Sequence, residues 1–424
     1  MVSVADKKQL LSNLWSLGSL QIVNYILPLI AIPYIVRVVG VEKFGILAVA
    51  TALCMFFQVI IDYGFNLTGV KQVSIHRNNR EKLIEIFGSI LTIKLILVIV
   101  SFIVLMAIVL TVDQLYKNYE IYMYTFGLAV GQALFPVWFF QGIEKMKYVT
   151  LFNILAKIIF TVLLFVLVTE ESDYYMVPVL TSLGFIVTGV CSLIFIKLKF
   201  GFSFRVPPLV KIKNLLYDGW HVFVANISSV LYTSTITLIL GIFSTDAIVG
   251  VFAAAEKIIN ILKSLMHPIT QVVFPYIVKI TNNSKESALQ FVRFIAVYSI
   301  VFYSLIFLVV FIFSEQIVYI ALGDQYEDSV ELLRIMAIAP LLSALNNILG
   351  VQIMIPFNLQ KLYSSIALIG GLVSVIVSFI FIPLYFQYAS SYIVIFVEFS
   401  LFVAMFLSVK LNNLDLVNST PDRV

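Results

Sequence analysis

The stretch LIEIFGSILTIKLILVIVSFIVLMAIVL, residues 83–110, contains only two charged residues, Glu85 and Lys94. As an α-helix it would be about 42 Å long, which exceeds the roughly 30 Å hydrocarbon core of a bilayer. The alternating polar positions of a half-exposed strand are absent, and so are the polar positions of a surface helix. This stretch therefore predicts a transmembrane helix, and the rest of the chain can be compared with it.

The composition of the chain extends this prediction to the whole molecule. Of the 424 residues, 61% are apolar and 12% are charged, whereas soluble domains have about 45–50% and about 25%. A soluble enzyme, a nucleic-acid-binding protein and a secreted disulfide scaffold are excluded, and the net charge of +4 does not indicate nucleic-acid binding. Cys54 and Cys191 lie inside apolar runs with no metal-ligand or disulfide spacing.

Twelve apolar segments are long enough to cross a membrane. They are residues 13–37, 44–66, 83–110, 120–141, 149–169, 175–198, 215–241, 247–275, 289–314, 332–356, 360–383 and 388–410. The first apolar run exceeds the roughly 7–15 residues of a signal-peptide core, so we expect it to be retained. The fold class is an all-α polytopic membrane protein, with no loop long enough for a soluble domain.

The distribution of Lys and Arg predicts the orientation. With the N-terminus in the cytoplasm, only Arg37, Lys43 and Lys117 lie outside. Eighteen lie inside: Lys7, Lys8, Lys71, Arg77, Arg80, Lys82, Lys145, Lys147, Lys197, Lys199, Arg205, Lys211, Lys213, Lys279, Lys285, Lys361, Lys410 and Arg423. Both termini are therefore expected in the cytoplasm, in agreement with an even number of spans.

A weak internal repeat predicts two lobes. Asn13, Gly18 and Gly40 match Asn214, Gly219 and Gly241 at a constant offset of 201 residues, and the FGILA segment at Phe44 then matches VGVFA at Val249. Six intervening spans give both copies the same direction across the membrane, which is the parallel repeat of many transporters. We expect an N-terminal lobe at residues 1–200, a cytoplasmic linker at 201–214, a C-terminal lobe at 215–410 and a cytoplasmic tail at 411–424. Two lobes around a central cavity indicate alternating access.

Charged residues within the spans are candidates for function, because a charge at membrane depth is costly and usually faces a partner or a watery cavity. They are Asp62, Lys94, Lys157, Asp218, Glu256, Lys257, Lys263, Arg293, Arg334 and Glu398. Helical spacing places further polar residues beside some of them. The resulting stripes are Gln58–Asp62–Asn66, Asn153–Lys157–Thr161, Glu256–Asn260–Lys263–His267 and Asp218–His221.

Each candidate also has a structural interpretation. Arg293 and Arg334 lie near span ends, where they could snorkel to the interface, and Glu256 could simply pair with Lys257 or Lys263. His221 and His267 could be proton carriers or neutral hydrogen-bonded groups. The six basic groups outnumber the four acidic ones, which favours an anionic passenger such as a phosphate. No Walker loop, metalloprotease motif or serine-hydrolase motif occurs.

Several segments together resemble one family. They are DGWHVFVANISSVLYTSTITLILG from Asp218, VGVFAAAEKIIN from Val249, Pro33-Tyr34 before Val39-Gly40, GFNLTGVKQVS from Gly64, FFQGIEKM from Phe139, GDQYEDS from Gly323 and LRIMAIAPLLSALNNILGVQ from Leu333. This combination, which spans nearly the whole chain, resembles the Wzx-type O-antigen flippases. They form the polysaccharide-transport branch of the MATE-like MOP flippase superfamily. Relatives would be expected to carry a glycine just after Pro356, where this chain has Phe357-Asn358.

The resemblance implies twelve helices in two six-helix lobes around a V-shaped cavity. It implies transfer of an undecaprenyl-diphosphate-linked oligosaccharide from the cytoplasmic to the periplasmic leaflet of a bacterial inner membrane. It also implies coupling to an ion gradient, of H⁺ or Na⁺, without another cofactor. An O-antigen polymerase and a chain-length regulator would be partners, and nucleic acid would not be.

On this hypothesis the diphosphate and sugars contact cationic and amide side chains, and Trp138 contacts a sugar. The expected substrate-binding residues are Lys94, Lys157, Lys263, Arg293, Arg334, Asn153 and Asn260. The expected coupling-ion residues are Asp62, Asp218, His221, Glu256 and Glu398. A drug or metabolite antiporter of the same architecture is the main alternative. A membrane-embedded polymerase and a passive scaffold are less consistent with the short loops and the intramembrane charges.

Overall fold

The computed structural model describes residues 4–201, 209–281, 284–412 and 414. Within these residues the secondary structure is helical, and none of them lies in a strand. Half of the predicted linker and most of the predicted tail fall on residues outside this set. The all-α fold class is therefore confirmed for the described part of the chain.

The chain divides into two compact units, Met1–Val230 and Leu231–Val424. The helices of unit 1 are α1 (Val4–Asp62), α2 (Phe65–Ile75), α3 (Arg80–Thr111), α4 (Asp113–Tyr116), α5 (Tyr119–Leu134), α6 (Val137–Gly142), α7 (Met146–Leu167), α8 (Met176–Phe200) and most of α9 (Leu209–Thr233). A short 3₁₀ turn, Glu171–Tyr175, joins α7 to α8. The predicted lobe boundary at residues 201–214 stays a prediction.

Unit 2 continues from the end of α9 with shorter and more broken helices. They are α10 (Thr235–Phe243), α11 (Asp246–Ser264), α12 (Met266–Thr281), α13 (Lys285–Ile312), α14 (Ser314–Ala321), α15 (Ser329–Met336), α16 (Ala339–Asn347) and α17 (Gln360–Leu411). A 3₁₀ turn at Asp324–Tyr326 follows α14, and a π-helical segment at Ile348–Met354 continues α16. π-Helical turns frequently occur at functional sites.

Eight helical stretches of the described residues are long and apolar enough to cross a membrane. A ninth is counted if the pair Lys211–Thr233 and Thr235–Phe243, bent by 46°, forms one span. The expected count of twelve is not confirmed by this measure. Part of the difference is that α1 and α17 each contain two expected spans, joined by a bend rather than by a loop.

The two bends have the same physical origin. Gly40 in α1 has a φ of 74°, and Phe386 in α17 has a φ of 46°. Both values interrupt the right-handed helix, because a positive φ is incompatible with it. Helix α11 is not counted among the spans for a different reason. It carries the three charged residues Glu256, Lys257 and Lys263.

Aromatic side chains build the core at one end of unit 1. Trp138, Phe139 and Phe140 are at most 1% exposed and pack with Phe65 and Phe87. Their residues belong to α6 and the helices around it, so this cluster fixes the connection between α5 and α7. Trp138, which is expected to contact a sugar, is 1% exposed and packs inside this core, so that contact stays a prediction.

The turn after Pro356 contains a residue with a left-handed backbone. Asn358 has a φ of 64°, in the left-handed region where glycine is favoured. Asparagine is one of the few other residues that tolerate this region. A turn that would favour glycine is therefore formed here by an asparagine, and the glycine expected in relatives stays a prediction.

Candidate functional site

A buried ion pair lies at the end of α1 in unit 1. The helix ends at Asp62 because Tyr63 and Gly64 both have left-handed backbone angles, with φ of 47° and 79°. The Lys94 ammonium on α3 donates to Asp62 Oδ1 at 2.8 Å. A carboxylate at a helix C-terminus is opposed by the helix dipole, so Lys94 offsets an unfavourable position as well as a charge.

This ion pair lines a polar cavity of about 240 Å³, which we call the Lys94 cavity. Besides the pair, its polar lining consists of amide side chains: Gln58, Asn66, Gln132, Gln141 and Asn153. Amides can both donate to and accept from hydroxyl groups. The predicted stripe Gln58–Asp62–Asn66 does not lie on one helix, because α1 ends at Asp62 and Asn66 belongs to α2, but all three residues line this cavity.

A second cavity, of about 290 Å³, lies between α1, α7 and α8 and contains Lys157. We call it the Lys157 cavity. Asn153 and Thr161 line it from α7, and Thr181 and Thr188 line it from α8. Asn153 also lines the Lys94 cavity, so the two cavities adjoin at this residue.

The sequence places α7 and α8 close together around the Lys157 cavity. A Cβ atom at Gly184 would lie 2.7 Å from the Phe160 ring, so only glycine permits this approach. The Tyr34 hydroxyl on α1 donates to the Val168 carbonyl at 2.7 Å, which holds α1 against the end of α7. The predicted stripe Asn153–Lys157–Thr161 is therefore built into a three-helix pocket.

Unit 2 contains a second buried ion pair. The Lys263 ammonium on α11 donates to Glu398 Oε1 on α17 at 2.7 Å. The Asn346 amide on α16 donates to Glu398 Oε2 at 2.8 Å and to the Glu398 carbonyl at 2.9 Å. Both oxygens of this carboxylate are thus held by donors from two different helices.

Further polar side chains extend from this pair into the π-helical segment. Thr270 donates to Asn347 Oδ1 at 2.7 Å, and Gln352 Nε2 lies 3.4 Å from the same oxygen. Within the described residues, Asn346 Oδ1 and Gln352 Oε1 are buried and have no hydrogen-bond partner. Unit 2 therefore combines a satisfied carboxylate with two unsatisfied amide oxygens.

The predicted stripe on α11 is only partly formed. Glu256 is half-buried and accepts a hydrogen bond from Thr237 at 3.1 Å, and Lys263 is also half-buried. Asn260 is exposed, and His267 is exposed on α12 because α11 ends at Ser264. The helix break removes the continuous face that regular spacing predicted.

Besides Asn260, four further expected site residues are exposed. Asp218 and His221 lie on α9, and Arg293 lies on α13. Arg334 on α15 is exposed and donates to Ser314 Oγ at 3.2 Å. A cavity of about 670 Å³ beside Arg334 is lined by five carboxylates: Glu315, Asp324, Glu327, Asp328 and Glu331. These charges would oppose a diphosphate at this position.

The sequence reasoning missed part of the uncharged lining of both sites. Gln132 and Gln141 line the Lys94 cavity, and Asn346, Asn347 and Gln352 belong to the unit 2 network. All five are amides inside apolar helices. A search for buried amides as well as charges would have found them.

Comparison with known proteins identifies a family that matches this chain. Residues 10–281 match the family described as "Polysaccharide biosynthesis protein". A protein of Escherichia coli (strain K12) described as "Putative O-antigen transporter" is 32% identical over 88% of this chain and 90% of its own length. A protein of Shigella dysenteriae with the same description is 27% identical over 89% of this chain and 93% of its own.

Solved structures show the same fold at lower identity. The lipid II flippase MurJ in an inward closed conformation matches with a TM-score of 0.65 and 13% identity. The match covers 92% of this chain and 87% of the MurJ chain. An inward-facing multidrug resistance MATE transporter of the MOP superfamily matches with a TM-score of 0.57 and 16% identity. The match covers 96% of this chain and 100% of the transporter chain. The expected MATE-like polytopic membrane fold is therefore confirmed.

Proposed function

The chain belongs to the polysaccharide biosynthesis protein family, and from this membership we propose that it is a flippase for lipid-linked O-antigen units. The passenger is an undecaprenyl-diphosphate-linked oligosaccharide, moved from the cytoplasmic to the periplasmic leaflet by alternating access. The relationship to the Escherichia coli protein over 88% of this chain carries the proposal. The relatives are described as transporters, and the chain is not an enzyme.

The cavities of unit 1 support a role for specific residues. Lys157 lines a cavity with threonine hydroxyls and Asn153, a set that suits phosphate and sugar oxygens. Lys94 and Lys263 each donate to a carboxylate, so a diphosphate would have to compete with Asp62 or Glu398 for them. We assign a diphosphate contact inside unit 1 to Lys157, whose cavity also presents hydroxyl and amide groups, and the sugar contacts to the amides of the Lys94 cavity.

The same pairs support coupling to an ion gradient. A proton or Na⁺ that binds Asp62 or Glu398 would weaken the attraction to the partner lysine and make its ammonium available to the passenger. Glu256, hydrogen-bonded to Thr237, is a third carboxylate able to bind the coupling ion. The remaining parts of the proposal are the inner-membrane location with cytoplasmic termini and the association with an O-antigen polymerase and a chain-length regulator.

The proposal is tested by reconstituting the protein in liposomes and measuring leaflet transfer of the lipid-linked oligosaccharide, with a cationic dye as a competing passenger. The Lys157→Ala variant should slow transfer about ten-fold or more, since a hydrogen bond to a charged group contributes about 1.5–3 kcal/mol. Lys117→Ala, at an exposed lysine, is the matched control. Dye exchange without sugar transfer would favour the antiporter instead.

A further inference from the structure

The ends of α7 and α8 meet at one membrane surface of unit 1. Helix α7 begins at Met146 and α8 ends at Phe200, and both are long and apolar enough to span. The Lys199 ammonium donates to the Tyr148 hydroxyl at 2.6 Å and joins the two ends. Leu198 is 79% exposed beside this contact, as expected for a side chain that faces lipid.

Three lysines at this place lie over aromatic rings. Lys145 is 4.9 Å from the centre of the Phe200 ring. Lys147 and Lys199 are 5.2 Å and 4.8 Å from the centre of the Tyr148 ring. Cation–π attraction restrains the position of an ammonium group, and because the ring is uncharged the ammonium keeps its net charge. We call Lys145, Lys147 and Lys199 the lysine cluster.

The backbone before α7 also fixes the position of the lysine cluster. Glu144 has a φ of 57°, and the Lys145 N–H donates to the Phe140 carbonyl at 2.8 Å. Phe140 is fully buried, so the turn is anchored in the core. The motif FFQGIEKM thus forms a preset turn that presents Lys145 at the membrane surface.

The lysine cluster retains its positive charge. Glu144 is the adjacent carboxylate, and it pairs with Arg77 at 2.7 Å rather than with a lysine of the cluster. Among the described residues, no carboxylate forms an ion pair with any of the three lysines. Lys147 and Lys199 are exposed. The result is three cations without an ion-pair partner among the described residues.

We propose that the lysine cluster is a docking site for the diphosphate of the lipid-linked passenger, occupied before the passenger reaches the Lys157 cavity. The inference rests on the proposed function. A diphosphate carries more than one negative charge and can use several ammonium groups, whereas a phosphodiester carries one negative charge and can be balanced by one ammonium group. Lys157 lies ten residues further along α7, about 15 Å from Lys147, on the helix that leads from the cluster into the cavity.

The predicted orientation supports this order of events. All three lysines belong to the set expected on the cytoplasmic side, which is the side from which the passenger would start. The exposed leucines beside the lysine cluster would contact the polyprenyl chain in the lipid. The diphosphate would then be held at headgroup depth, where phosphate is normally found.

The experiment measures binding in nanodiscs of zwitterionic lipid, with an undecaprenyl-diphosphate-linked oligosaccharide as the probe. A parallel titration uses undecaprenyl monophosphate, and another uses phosphatidylglycerol. The triple variant Lys145→Gln/Lys147→Gln/Lys199→Gln is compared with Lys117→Gln/Lys361→Gln/Lys410→Gln, which removes the same charge from three exposed lysines elsewhere. A Lys→Arg version of the cluster tests whether charge alone restores binding.

We expect the cluster variant to bind the diphosphate probe at least about ten-fold more weakly than wild type, and the control and arginine variants to bind normally. Unchanged binding by the cluster variant, with normal transfer, would overturn this inference and leave the proposed function intact. Equal wild-type affinity for phosphatidylglycerol would identify a general lipid site instead and also overturn it. A wild-type protein that neither binds nor transfers the probe would contradict the proposed function itself.

Discussion

The two units each bury a lysine–carboxylate pair, but they bury opposite members of it. In unit 1 the Lys94 side chain is 4% exposed and its partner Asp62 is 21% exposed. In unit 2 the Glu398 side chain is 9% exposed and its partner Lys263 is 20% exposed. The less exposed member of the pair is therefore positively charged in one unit and negatively charged in the other.

The buried member also has different support in the two units. Lys94 donates to Asp62, whereas Glu398 accepts from Lys263 and also from Asn346. A buried carboxylate with a second donor can lose its lysine and remain hydrogen-bonded, or it can become neutral by binding a proton. From this comparison we expect the unit 2 pair to change partners more readily than the unit 1 pair.

The largest expected effect follows from removing the exposed member of the unit 1 pair. The Asp62→Leu variant leaves the Lys94 ammonium buried without its counter-ion. We expect the free energy of unfolding to fall by about 3–5 kcal/mol, the usual cost of breaking a buried pair. Denaturant titration of the purified protein measures this change.

The double variant Asp62→Leu/Lys94→Met is the control for that experiment. It removes both charges, and replacing a whole buried pair by apolar residues is often neutral. We expect most of the lost stability to return. A single variant as stable as wild type would show that Lys94 has another way to be solvated, and the contrast between the units would then disappear.

An intermediate effect is expected from removing the exposed member of the unit 2 pair. The Lys263→Met variant leaves Glu398 still hydrogen-bonded to Asn346, so we expect a loss of about 1–3 kcal/mol in the free energy of unfolding. Lys257→Met, at an exposed lysine of the same helix, is the matched control and should be nearly neutral. A loss as large as that of Asp62→Leu would mean that Asn346 adds nothing.

The sequence predicted the charged members of both pairs but not the pairing. Apolar spans and the charges inside them are local properties, so composition and helical spacing are sufficient to find Lys94, Lys157, Lys263 and Glu398. The contact between Lys263 and Glu398 joins residues 135 positions apart, and no pattern within one helix contains it. Pairing depends on which helices pack together, which only the structure provides.

The continuity of the helix decides the outcome for the predicted polar stripes on α7 and α11. Asn153–Lys157–Thr161 falls within the unbroken helix α7, and its three residues line one cavity. The stripe from Glu256 to His267 crosses the end of α11 at Ser264, where regular spacing no longer applies. Helical spacing therefore applies only as far as the helix continues, although residues of two helices can still line one cavity, as Gln58, Asp62 and Asn66 do.

The smallest expected change in the free energy of unfolding comes from replacing an amide that does not contact the unit 2 pair. It is compared with the replacement of an amide that does. Gln352 is fully buried, its Oε1 has no partner among the described residues, and its Nε2 makes one long contact of 3.4 Å. Gln352→Leu should therefore change the free energy of unfolding by less than about 1 kcal/mol, because little is lost when an unsatisfied amide becomes apolar. Asn346→Leu removes both donations to the Glu398 residue and should cost about 2 kcal/mol or more. Equal effects in the two variants would mean that Glu398 is held by Lys263 alone, which would make the two buried pairs equivalent.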